Sequence, residues 1–105
     1  MFFGGADIDV AQIQQSVSDG EALLIDVRSS AEYAASHAAG AVHLDVERIM
    51  AGERPADGRA KKLYLYCASG NRSGLAKQLL DRDGYHAENI GGLIHWQRAG
   101  GEIVQ

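Results

Sequence analysis

Read for hydrophobic periodicity, the chain falls into short apolar runs separated by amphipathic stretches and glycine punctuation. Residues 22–27, ALLIDV, are apolar throughout except for Asp26, the pattern of a strand covered on both faces. Residues 62–67, KLYLYC, carry the leucine and aromatic content of a second strand. Weaker strands are expected at 41–44 (AVHL) and 87–90 (AENI). Between them, Asp9 followed by Gln12 reads as a capping box, with Ile8 and Ile13 placed as a hydrophobic staple. They predict a helix over 10–18 that stops near Gly20. A small helix is expected over 31–36. Leu75, Ala76, Leu79 and Leu80 mark one face of a longer helix that starts about six residues after Cys67 and ends at Gly84. A turn at Gly91-Gly92 and a last short helix around Trp96 complete the pattern. Strands alternating with helices predict an α/β fold with a mainly parallel sheet of about five strands and helices on both faces.

Composition narrows this picture. The 105 residues suffice for one modest core, so a single domain over 1–105 is expected. The 46% hydrophobic and 23% charged content are ordinary globular values. A formal charge of -4 offers no basic stripe for nucleic acid or an anionic membrane surface. The opening MFFGG is a brief apolar tip without a basic flank, and no apolar run is long enough to cross a bilayer. A cytoplasmic protein without nucleic-acid or membrane partners is the expectation. The single cysteine rules out an internal disulfide, a dithiol redox pair and a Cys-rich zinc site, so neither metal nor other cofactor is expected.

That cysteine carries the candidate chemistry. In open parallel sheets, sites form at the carboxyl ends of strands, and Cys67 lies at such an end. The residues after it, Ala68, Ser69, Gly70, Asn71, Arg72 and Ser73, are small and polar and lead into a helix. A tight loop of this kind turns backbone N–H groups toward one point, and with a helix N-terminus beneath it stabilises negative charge. A thiol in that field loses its proton more easily, and the thiolate is the attacking form. Gly70 supplies a conformation other residues resist. Arg72, the loop's one cation, presents a fork of donors matched to oxyanions. Ser73 is placed to cap the helix and to donate from its hydroxyl. The four histidines show no ligand spacing, and none precedes the cysteine as an adjacent base. Activation by field alone suits a reaction whose leaving group is already an anion. Transfer of a sulfane sulfur is one: the thiolate attacks the outer sulfur of a donor such as thiosulfate, sulfite leaves, and a persulfide remains for a second nucleophile. Such chemistry requires inward-facing amides and a thiol that is not sealed beneath the surface.

The chain resembles the rhodanese family of sulfurtransferases in its single-domain form, from about residue 7 to residue 104. LLIDVRSSAEYAASHAAGAVHL is similar to the family's first signature, at Asp26, Val27, Arg28, Glu32, His37, Gly40 and Ala41. LYCASGNRSGLAKQLLDRDGY resembles its active loop and following helix, and NIGGLIHWQRAG its closing segment, at Gly91, Gly92 and Trp96. The resemblance implies a persulfide on Cys67, a cradle made by the amides of residues 68–73, and assistance to an anionic donor from Arg72. Asp26 and Arg28 would brace the architecture. The implied partners are thiosulfate or a similar small donor and a thiol or cyanide acceptor, including a protein thiol; with Arg72 as the loop's one cation, doubly charged thiosulfate is expected to be preferred over mercaptopyruvate. Two positions depart from the family: Ser36 stands where glycine is usual and Ala39 where proline is, which makes the turn less rigid.

Two other functions share these features. Cysteine-dependent phosphatases place five residues between Cys and Arg, whereas four separate Cys67 from Arg72. The smaller ring of amides fits one sulfur better than a tetrahedral phosphate. A non-enzymatic persulfide carrier or regulatory module would use the same loop.

Overall fold

The computed structural model describes residues 8–105; the apolar tip at residues 1–5 lies outside them. Four parallel strands form the main sheet: β1 (Ala22–Asp26), β3 (Val42–His43), β4 (Lys62–Cys67) and β5 (His86–Gly92), in the order β3-β1-β4-β5. The expected α/β architecture with a parallel sheet is present, with four strands where about five were expected. Two further strands, β2 (His37–Ala38) and β6 (Ile103–Val104), pair antiparallel as a separate ribbon. The sheet is covered by α1 (Val10–Ser18), α2 (Ser30–Ala35) and α5 (Leu93–Arg98) on one face, and by α3 (Val46–Met50) and α4 (Asn71–Arg82) on the other.

The period of two in β1 and β4 sorts the core into two halves. Ile25, Leu63, Leu65 and Cys67 face α3 and α4, meeting Val46, Ile49, Ala76 and Leu80. Leu24, Tyr64 and Tyr66 face the other way, toward Ile13 of α1 and Trp96 of α5. On α4, Ala76 and Leu80 are buried and Leu79 half-buried, but Leu75 is 40% exposed and does not belong to the packed face. The Asp9 side chain caps α1 through the Gln12 amide (3.1 Å), while the Gln12 side chain donates to Ser16 Oγ (2.9 Å). Half of the expected capping box is therefore made. Ile8 does pack into the cluster that holds Ile13, as a staple should. A full box forms on α2, between Ser29 and Glu32.

Asp26, at the carboxyl end of β1, is fully buried and its charge is matched at once. Arg28 donates to it from Nε (3.0 Å to each oxygen), Nη2 (2.7 Å) and its backbone amide (2.9 Å). Tyr66 Oη donates to Asp26 Oδ2 (2.7 Å) and accepts from the amide of Ala38 (3.0 Å), while Arg28 Nη2 also donates to the Ser36 carbonyl (2.6 Å). Ser36 is extended, at φ -171 and ψ 153, a conformation that needs no glycine.

One prediction follows from that network. Tyr66→Phe leaves the buried Ala38 amide unpartnered and removes one donor from a buried carboxylate, so it should cost about 1–3 kcal/mol. Urea unfolding measures this; a loss near zero would show that the phenol is not needed.

Candidate active site

The register brings three chain segments together at one end of the sheet. Asp26 pairs with Tyr66, and Cys67 with Gly92. Between the pairs Leu65–Asn89 and Cys67–Gly92, β5 spends three steps on two of β4. The expected Gly91-Gly92 turn is instead this irregularity within β5, which then runs directly into α5. Gly92 is forced by its neighbour: a Cβ there would lie 1.9 Å from the Ala68 carbonyl oxygen. His95 Nδ1 accepts from the Gly92 amide at 2.8 Å, capping α5.

Helix α4 opens at Asn71, two residues earlier than expected, because Gly70 adopts φ +104 and turns the chain at once. Ser73 is accordingly not the N-cap. It sits in the first helical turn, where its amide is one of the donors left over at a helix start. These donors meet at the sulfur. Gly70 N lies 3.0 Å from Cys67 Sγ, Ser73 N 3.4 Å and Ser73 Oγ 3.4 Å. Burial pushes the Cys67 thiol up, but hydrogen bonds from the Ser73 hydroxyl and the amides of Ser73, Ser69 and Gly70 outweigh it and hold the thiol below its ordinary value. Ala68, Ser69 and Asn71 lie exposed on the rim, and Gly70 is buried.

The thiol itself departs from expectation. Cys67 retains 1% exposure and belongs to the core cluster under α4, so the resting structure is closed over the sulfur. The cause is local: Cys67 is the last residue of a central strand, its side chain points into the α4 half of the core, and the loop folds back on it.

Two residues to which the loop's sequence gave no clue complete the site. Asn89 on β5 accepts from Ser73 Oγ (2.7 Å) and from the Gly91 amide (2.9 Å), and donates from Nδ2 to the Gly70 carbonyl (2.9 Å). It ties both ends of the donor set to the neighbouring strand. Glu32 on α2 accepts from both terminal nitrogens of Arg72, at 2.7 and 3.0 Å. The hydrogen bond from Arg72 brings the Glu32 carboxyl down to about 2, against a smaller opposing effect of burial. The carboxyl is thus ionised wherever the thiol titrates. The pair's small contribution to stability is fully present above the ordinary carboxylate range and fades only as pH falls toward 2. Asp26 and Arg28 send their hydrogen bonds to each other, Tyr66 and Ser36 rather than to the sulfur. Among the described residues, no group of three or more His, Cys, Asp or Glu side chains is placed to hold a metal, and no helix is long and apolar enough to cross a membrane.

With this geometry stand the likenesses to other proteins. Residues 9–99 match the Rhodanese-like domain, and the chain belongs to that family. An uncharacterised Synechocystis protein is 36% identical over 92 residues, covering 84% of this chain but 50% of its own length, so the chain spans about half of that relative. The thiosulfate sulfurtransferase PspE of Escherichia coli is 38% identical over 73 residues, 66% of this chain and 68% of PspE. A rhodanese from E. coli solved with anions superposes with a TM-score of 0.64 at 30% identity, over 80% of this chain and 98% of that one.

The Ser73 hydroxyl gives its one hydrogen to Asn89 Oδ1 (2.7 Å) at rest and can turn it to Cys67 Sγ, 3.4 Å away, when the thiol ionises, so Ser73→Ala should move the pH midpoint of Cys67 alkylation upward. Iodoacetamide rates measured across pH test this, and an unmoved or lowered midpoint would contradict it.

Proposed function

We propose that the protein is a sulfurtransferase that moves a sulfane sulfur from thiosulfate to a thiol or cyanide through a persulfide on Cys67. The observation that carries this is the convergence of Gly70 N and Ser73 N on Sγ at 3.0 and 3.4 Å. Donors already directed at a sulfur stabilise it as an anion without reorganising. The donor must reach the covered sulfur past the exposed Ala68, Ser69 and Asn71, and the Cys67 thiolate attacks its outer sulfur. The donor's S–S bond breaks, and sulfite leaves with the electron pair. The persulfide, Cys–S–S⁻, keeps its charge on the terminal sulfur, which the loop amides hold. An acceptor thiolate or cyanide then attacks that terminal sulfur and returns Cys67 as thiolate. Arg72 assists the anionic donor, while Asp26 and Arg28 brace the strand end from which the loop departs. PspE, to which the chain is similar, supports thiosulfate as donor.

The phosphatase alternative finds less support. Four residues rather than five separate Cys67 from Arg72, a ring of amides one residue smaller than the one those enzymes close around phosphate. Hydrolysis of a generic aryl phosphate should be negligible.

Mass spectrometry of the intact protein after thiosulfate treatment tests the proposal. The expected result is a gain of one sulfur atom, removed by cyanide or a thiol, and absent in Cys67→Ser, which should keep its fold and lose all transfer. No mass gain, or transfer surviving in Cys67→Ser, would overturn it.

A further inference from the structure

Arg72 is the cation that should greet an anionic donor, yet both its terminal nitrogens already donate to a carboxylate. Nη1 and Nη2 make a two-pronged pair with the Glu32 carboxylate, at 2.7 and 3.0 Å. Forked guanidinium–carboxylate contacts of this kind fix orientation as well as charge. The carboxylate does not arrive by chance rotation of a surface side chain. Glu32 Oε1 also accepts from the Ser29 amide at 3.0 Å, and the Glu32 amide is bonded by Ser29 Oγ at 3.2 Å, so the capping box of α2 sets its rotamer. The partners lie 40 residues apart and join α2 to the start of α4. The guanidinium stays close enough to the sulfur for the two to interact electrostatically, and the pair keeps over a third of its surface open, at 38% and 35%. Near the thiol, then, the +1 of Arg72 stands beside a fixed -1.

We propose that Glu32 masks the charge of Arg72 and so sets the charge preference of the donor site: an incoming anion meets a guanidinium already paired with a carboxylate. In the resting protein the amides of the loop supply the field that an incoming anion meets, and the net pull on a second negative charge is weak. A doubly charged donor feels that offset more strongly than a singly charged one. The preference for thiosulfate expected from Arg72 alone is therefore held down by Glu32, which acts through Arg72 and not on the reacting atoms. The identity of the donor rests on the sulfur-transfer proposal; the masking does not.

The test separates the two. Cys67 is alkylated in parallel by iodoacetate, which is anionic, and iodoacetamide, which is neutral. Both need the same thiolate, so the ratio of their rates cancels its ionisation and reports local charge. Glu32→Gln keeps a side chain able to complete the capping box. It should raise the iodoacetate-to-iodoacetamide ratio roughly three- to tenfold, the effect of one unit charge across a few ångström of partly wetted protein. Glu32→Ala, should the first variant fail to fold, is expected to shift the ratio the same way. An unchanged or lowered ratio would show that Glu32 positions Arg72 rather than masking it, and would overturn the proposal. As a second arm, Glu32→Gln should lower KM for doubly charged thiosulfate more than for singly charged methanethiosulfonate. If the unaltered protein takes no sulfur from thiosulfate, the sulfur-transfer proposal fails, yet the alkylation ratio still decides the role of Glu32.

Discussion

A carboxylate with no exposure sits at the end of a central strand, and the site depends on how it is matched. Asp26 is fully buried, and an unpaired charge there would cost several kcal/mol. Arg28 and Tyr66 match it, and each carries the constraint onward: Arg28 to the Ser36 carbonyl, Tyr66 to the Ala38 amide. Those two contacts fix the chain just after α2. Helix α2 in turn presents Glu32, which holds Arg72 at the far side of the loop. A buried ion pair is weak evidence for stability. Here its visible consequence is geometric, since it links β1 and β4 to the segment that follows α2.

The second constraint is the crowding of the loop against β5. The Ala68 carbonyl passes so near Gly92 that no side chain fits between them, and Asn89 grips Gly70 and Ser73 from the same strand. The loop is thereby pressed inward, which accounts both for the donors converging on Sγ and for the 1% exposure of Cys67. A field that makes the thiol easier to ionise and a resting state closed over it have one cause.

Much of this was legible in the chain. The central strands β1 and β4 showed as runs of apolar residues, and β4 ends where the pattern placed it, at Cys67, whereas β5, the longest, showed only as a weak strand at 87–90. The ribbon of β2 and β6 was not legible, because two-residue strands form by tertiary pairing and leave no periodicity. Helix α3 did leave a trace, with Asp45 as cap and Val46 and Ile49 one turn apart, but it spans only five residues. The start of α4 is hidden in the sequence because Ser73 is a common type of cap, whereas Gly70 at positive φ has already turned the chain. Asn89 reads as an unremarkable polar residue in a weak strand. Glu32 meets Arg72 only through the fold, so no local signal in the loop announced the pairing.

The central claim is that inward-directed amides hold negative charge on a sulfur at Cys67. A crystal structure of the protein after reaction with thiosulfate tests it most directly. The account predicts one added sulfur on Cys67 Sγ, with the amides of the 68–73 loop within hydrogen-bonding distance of it. An unmodified Cys67, or an added sulfur turned away from amides that point outward, would contradict it.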